Sequence, residues 1–202
     1  MIQIKDLTLS YGAQAVVQNF SATIAGGTIS AIIGGNGAGK STLITAIAGA
    51  IEPTSGSIAI DGEDIALLSA QDQASLRSVA QQNHSYWMGY TVAQILGLGH
   101  EYISQRRLDE VAQDFGIHEI LNQSITTLSG GQLQRVEIAR AFVRDVPIIL
   151  LDEPFASQDL SSQEKLIALF QEERRKGRTI LLVAHRDKSN LQWCDQIIDL
   201  GQ

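Results

Sequence analysis

Apolar residues are spaced in three different ways along this chain, and each spacing predicts a different kind of element. Around Ile2, Ile4, Leu7 and Leu9, and again around Val17, Phe20 and Ala22 in residues 15–24, apolar and polar positions alternate. One wet face and one dry face is the pattern of half-buried antiparallel strands. Ile29-Ser30-Ala31-Ile32-Ile33, Ile148-Ile149-Leu150-Leu151 and Ile180-Leu181-Leu182-Val183 are instead nearly unbroken apolar runs of strand length. Strands apolar on both faces belong in a parallel sheet covered on both sides. Between Gln82 and Thr127 the spacing turns helical with interruptions, at residues 92–96, 108–115 and 118–121. Gly26-Gly27 and Pro53-Thr54-Ser55-Gly56 punctuate the strands, and residues 57–62 read as a further strand. Ser161-Ser162-Gln163-Glu164 has capping-box spacing ahead of Leu166, Ile167, Leu169 and Phe170, and Gly177 follows the basic end of that helix as its terminator.

These elements add up to an α/β fold with a mixed or parallel sheet core, an antiparallel β layer and an inserted helical subdomain. Residues 1–81 and 146–202 are assigned to the core and its β layer, and 82–145 to the insertion, all within one domain. At 202 residues and 44% hydrophobic content the chain can bury a sizeable core. The formal net charge of −7 lacks the basic footprint of a nucleic-acid binder, so no nucleic-acid partner is expected. Cys194 stands alone and cannot form an internal disulfide, and Met1-Ile2-Gln3-Ile4-Lys5 does not start a secretory leader, so the expected compartment is the cytoplasm. Residues 7–39 carry no charge, but Gln14, Gln18, Asn19 and Gly26-Gly27 break any apolar run of spanning length.

The chemistry starts at Gly34-Gly35-Asn36-Gly37-Ala38-Gly39-Lys40-Ser41-Thr42, which spells G-x-x-x-x-G-K-[ST] between a predicted strand and a predicted helix. Glycines let the backbone curl until its N–H groups converge on an anion, and the helix N-terminus adds positive potential at the same point. Nucleotide phosphates fit there. Lys40 is placed to neutralise the β- and γ-phosphates, the Ser41 hydroxyl to ligate Mg²⁺, and Thr42 to support the α-phosphate. Leu128-Ser129-Gly130-Gly131-Gln132 makes a second such tip, because Ser129 and Gln132 have the S-x-x-Q spacing of a capping box at the head of another helix.

Two glycine-rich helix tips in this order resemble the nucleotide-binding subunits of ABC transporters, whose signature is L-S-G-G-Q, and the resemblance extends over essentially the whole chain. It implies a P-loop NTPase that binds and hydrolyses ATP with Mg²⁺ as cofactor. It also implies a head-to-tail dimer in which each ATP lies between the P-loop of one subunit and Ser129, Gly130, Gly131 and Gln132 of the other. Asp152-Glu153 after the apolar run 148–151 is similar to the family's Walker B, with Asp152 holding Mg²⁺ and Glu153 serving as general base. His185, ending the next apolar run, resembles the switch histidine that reaches the γ-phosphate. Gln81 resembles the Q-loop glutamine, a further Mg²⁺ ligand; Gln82 is its rival, and Gln81 is preferred because it directly follows the strand-like Ser78-Val79-Ala80. Tyr11 resembles the aromatic that stacks on adenine. Gln158 departs from the apolar residue usual at its place in the D-loop, and Arg186 from the acid usual after the histidine.

The resemblance further implies two membrane-spanning subunits, a second ATP-binding subunit, a peripheral place on the cytoplasmic face of the membrane and, for an importer, a solute-binding protein. The length and the Gln-Gln pair followed by Thr91-Val92-Ala93 look most like importers of small solutes such as metal chelates. A short exporter cassette and a soluble assembly ATPase of the iron–sulfur type are the alternatives. Tyr86, Trp87, Met88 and Tyr90 crowd one short segment of a chain with only 5% aromatics, so an outward-facing patch that meets the membrane subunit is expected there.

Overall fold

Strand parity decides which sheet each segment joins. The computed structural model describes every residue except 13, 83–85, 87, 100–102, 185–187 and 202. In chain order the elements are β1 (Ile2–Tyr11), β2 (Gln14–Ile24), β3 (Ile29–Ile33), α1 (Lys40–Ile47), β4 (Ser55–Ile60), β5 (Glu63–Asp64), α2 (Ala70–Leu76) and β6 (Arg77–Ala80). There follow α3 (Val92–Gly97), α4 (Gln105–Asp114), α5 (Gly130–Val143), β7 (Ile148–Leu151), α6 (Leu160–Arg175), β8 (Thr179–Val183) and β9 (Gln196–Asp199). The alternating strands form an antiparallel sheet in the order β2-β1-β4-β5, and the apolar β7, β8 and β3 form the centre of a parallel sheet in the order β6-β7-β8-β3-β9.

The central strands β7, β8 and β3 are buried on both faces, as their composition requires. Ile29, Ala31, Ile149, Leu151, Ile180 and Leu182 face a core shared with α3, α4, α5 and α6. Ile32, Ile148, Leu150, Leu181 and Val183 face the opposite way, into a core with α1 and the antiparallel sheet. Each such isoleucine or leucine, taken fully out of water, stabilises the fold by about 1.5–3 kcal/mol. The helices of residues 82–145 therefore have no separate core: Val92, Ile95, Val136 and Phe142 pack in one cluster with the sheet.

In β1, Ile4 and Leu7 are both buried although three residues apart, which strict alternation forbids. The chain slips register between them, with Asp6 at φ 47°. Gly56 makes room for the slip, since a Cβ there would lie 2.4 Å from the carbonyl oxygens of Lys5 and Asp6. The helix over residues 160–175 begins earlier than its sequence signature: its cap is Asp159, whose carboxylate accepts from the Ser162 N–H at 2.7 Å, and Ser161 already lies inside the helix. Capping needs an oxygen one residue before the first helical turn, and Asp159 supplies it first.

The alternation and runs leave α2 and β9 without a signal. α2 has no buried residue, and β9 buries only Ile198, so neither presents an apolar stripe. Tyr86 and Tyr90 pack against the core, and the Tyr86 hydroxyl donates to the buried Glu137 carboxylate, whereas Met88 is 55% exposed. Trp87 and His185 lie outside the described residues. Among the described residues no helix is long and apolar enough to cross a membrane.

Candidate active site

In a parallel sheet the carboxyl ends of neighbouring strands open onto one edge, and in this sheet they bring the candidate chemistry together. β3 delivers the glycine loop and α1, β7 delivers Asp152 and Glu153, and β6 delivers Gln81 and Gln82. The expected His185 comes two residues after β8 in sequence and lies outside the described residues.

The loop is shaped by its glycines and by the strand beside it. Gly39 takes φ 87°, and a Cβ on it would lie 2.5 Å from Val17 Cγ2 and 3.0 Å from Val16 Cγ1. Only a glycine fits between the loop and β2 at this point. Gly39 is also the N-cap of α1, where no side chain caps the helix and no acid stands in the first turn, so its leading N–H groups and dipole face outward uncompensated. Lys40 is buried, and its ammonium donates to the carbonyls of Gly34 at 3.2 Å and Gly35 at 2.9 Å, which holds the cation over the loop.

Ser41 Oγ donates to Asp152 Oδ1 at 3.0 Å, a contact between residues 111 apart in sequence. A hydroxyl and a carboxylate at this distance are the hard oxygen ligands that Mg²⁺ accepts, with water and phosphate oxygens completing its shell. Among the described residues no group of three His, Cys, Asp or Glu side chains could hold a metal by itself, so the chemistry of the donor set fits an ion shared with a phosphate-bearing ligand. Val16, Asn36, Gly37, Gly39, Lys40, Ser41, Thr42, Gln82 and Glu153 line a cavity of about 420 Å³ here.

Glu153 holds φ 51°, an uncommon backbone state for a residue with a side chain and one that costs about 1–3 kcal/mol. Its carboxylate accepts from Gln82 Nε2 at 2.5 Å, and its carbonyl accepts from Gln134 Nε2 at 2.8 Å. Gln82, rather than the preferred Gln81, therefore lines the cavity, although both side chains are exposed. Ala80 is still in the sheet, where its carbonyl accepts from the Asp152 N–H at 2.9 Å. The chain has to leave the sheet before a side chain can turn toward the loop, and this takes one residue more than counting from the strand end allows.

Tyr11 ends β1 opposite Gln14, is 58% exposed, and does not line the cavity. Val16 does, and the sequence reading missed it. The local pattern does not mark it, since it is a half-buried valine beside the buried Val17.

The signature forms a different kind of tip. Ser129 Oγ accepts from the Gln132 N–H at 3.3 Å while Gln132 Oε1 accepts from the Ser129 N–H at 2.9 Å, closing the predicted capping box at the head of α5. Gly130 and Gly131 form the first turn, with no acid in it. Among the described residues, the wall of the phosphate-loop cavity contains none of Ser129, Gly130, Gly131 or Gln132. Cys194 is chemically quiet: burial first, and Asp195 beside it second, push its thiol up to about 12.

A family model described as ABC transporter matches residues 17–156. Among curated proteins, the thiamine import ATP-binding protein ThiQ of Shigella boydii is 37% identical over 194 residues, covering 92% of this chain and 81% of that protein. The hemin import ATP-binding protein HmuV of Nocardia farcinica is 33% identical over 183 residues, covering 86% of this chain and 63% of the relative. Among solved structures, an ATP-binding subunit of an ABC transporter superposes with a TM-score of 0.87 at 29% identity, over 98% of this chain and 85% of that one.

Proposed function

This chain belongs to the ABC transporter family as an ATP-binding, ATP-hydrolysing subunit of importer type, and we propose how its residues divide the work. Two copies pack head to tail, so that the α5 tip of each closes over the phosphate loop of the other. The observation that supports this reading is the separation of the two tips: among the described residues, no signature residue lines the cavity that contains Lys40, Ser41, Gln82 and Glu153.

In the closed site Lys40 neutralises the β- and γ-phosphates, and the loop N–H groups with Thr42 grip the remaining oxygens. Ser41 and Asp152, together with Gln82, would hold Mg²⁺, which when bound would supply positive charge against the phosphates. Glu153 accepts the proton of the attacking water as the water oxygen bonds to the γ-phosphorus and the bridging oxygen leaves on ADP. His185 and the partner copy's signature turn orient the γ-phosphate. Tyr11 gives adenine a stacking face. ATP closes the dimer and hydrolysis reopens it, and two membrane-spanning subunits convert that motion into import. The chain then sits as a peripheral subunit on the cytoplasmic face of the membrane. A small organic solute or metal chelate, delivered by a solute-binding protein, is the cargo class supported by the thiamine and hemin relatives.

Mixing two inactive variants tests the arrangement. Lys40→Ala and Ser129→Arg chains combined should regain activity, because in the heterodimer both lesions fall in one composite site and the other site is intact. If heterodimers form and no ATP hydrolysis returns, the head-to-tail arrangement is wrong.

A further inference from the structure

Three glutamines connect the catalytic base to the signature turn of the same chain. Gln134, on α5, donates through Nε2 to the Glu153 carbonyl at 2.8 Å. Gln158, in the loop before α6, donates through Nε2 to the Gly131 carbonyl at 3.0 Å and to Gln134 Oε1 at 3.3 Å. Gln163, on α6, donates to the Gln158 carbonyl at 3.0 Å and holds that residue in place. The backbone adds its own fit. Ser157 takes φ 64°, and its carbonyl oxygen comes within 2.9 Å of where a Cβ on Gly131 would stand, so the loop seats directly on the signature glycine.

Gln158 occupies the centre of this arrangement, and its chemistry is what the place requires. Its amide nitrogen faces two acceptor oxygens, one from the first turn of α5 and one from the side chain that pins Glu153. An apolar residue of similar size would fill the space and donate nothing, leaving Gln134 oriented from one side only. Glu153 needs the support, because its φ of 51° is not a conformation it would hold without partners.

We propose that Gln158 is a positioning residue for hydrolysis: through Gln134 it fixes the peptide of Glu153, and through Gly131 it ties that peptide to the same chain's signature turn. This rests on the head-to-tail reading, in which Glu153 serves one nucleotide and the signature turn serves the other. The clamp then makes the two sites of a dimer change together, because a shift of the signature turn around one γ-phosphate is transmitted to the base of the neighbouring site. Gln158 does not line the phosphate-loop cavity.

The test compares wild type with Gln158→Leu, which keeps the volume, and Gln158→Glu, which keeps the shape but turns an acceptor toward two acceptors. For each, ATP hydrolysis against ATP concentration gives kcat, KM and the Hill coefficient, and a melting curve gives stability. Expected are a kcat about tenfold lower in both variants, a KM within about twofold of wild type, and a Hill coefficient reduced toward one. Gln134→Leu should lower kcat to a similar extent, and the Gln134→Leu/Gln158→Leu double variant should be no slower than either, since the two act in series. A purely structural role predicts the opposite: a lower melting temperature with wild-type kcat and Hill coefficient when assayed below it. That result in either variant, or effects that multiply in the double variant, overturns the proposal. If the leucine variant does not fold, the isosteric glutamate variant decides. Failure of the dimer reading is separable, because it is seen in wild type as no ATP-driven dimer, whereas failure of the clamp leaves a normal wild type and normal variants.

Discussion

The two helix tips of this chain look alike in sequence and differ in what they leave unsatisfied. Both are glycine-rich, and neither has an acid in its first turn. The tip of α1 has no side-chain cap, a buried lysine folded over it, and a hydroxyl–carboxylate pair beside it. The tip of α5 is closed by its own Ser129–Gln132 box and has no lysine within its first turn. An uncapped tip with its own cation can recruit a polyanion; a capped tip can only add a hydroxyl and N–H groups to an anion already held. On the proposed arrangement the first binds and the second completes, so affinity and turnover should separate cleanly when each is damaged.

The largest expected effect follows from that difference. Lys40→Ala should cost about a hundredfold in ATP affinity by titration calorimetry, because the phosphates lose their enclosed counter-charge, while Ser129→Arg should leave the affinity of the isolated chain within about twofold. Equal losses in both would erase the distinction. Next, Glu153→Gln keeps the shape of the base and removes its basicity, so kcat should fall by about 10²–10⁴-fold with ATP binding retained and a closed dimer visible by light scattering. Wild-type turnover would remove Glu153 from the role of base.

A smaller effect sharpens the binding side. Gln82→Ala should lower kcat about tenfold, since its amide reaches Glu153 and the loop cavity, whereas Gln81→Ala should stay within about twofold. The reverse ranking would restore Gln81. The smallest concerns the helix that carries the loop of Gln158. Asp159→Ala should lower the melting temperature by a few degrees while Ser161→Ala leaves it unchanged, because only Asp159 caps α6. Its hydrogen bonds from Ser162 hold the Asp159 carboxyl below the usual carboxylate range. A depressed folded value stabilises above the unfolded pKa and is lost as pH falls through the folded one. The difference between Asp159→Ala and wild type should therefore be complete at pH 7 and fade as the pH drops below about 4; a difference that persists undiminished into strong acid would mean the carboxylate is not the cap.

Much of this molecule is legible in its sequence. The β3 strand was bounded correctly at Ile29–Ile33 because both of its faces are apolar and a glycine loop ends it. The α5 cap was read correctly because Ser129 and Gln132 close their box within four residues. Where the pattern was weak the reading stopped: α2 buries nothing, β9 buries one residue, and the register slip at Asp6 shows in the sequence only as two buried positions three apart. Two acceptable caps stood near the start of α6, and local spacing could not tell that Asp159 would act before Ser161.

What the sequence by itself determined here has its partners close along the chain: the glycine loop, the signature cap, the doubly apolar strands and the acids at their ends. Backbone geometry fixes these over a few residues, so residue type and spacing suffice. The tertiary structure alone decided what meets across the sheet: that Ser41 reaches Asp152, that Gln82 rather than Gln81 faces Glu153, that Val16 walls the cavity, and that Gln158 and Gln134 link Glu153 to the signature turn. Those contacts depend on strand order, register and the residue at which each chain segment leaves the sheet. A displacement of one residue there reassigns a side chain from the site to solvent, and no local pattern records it.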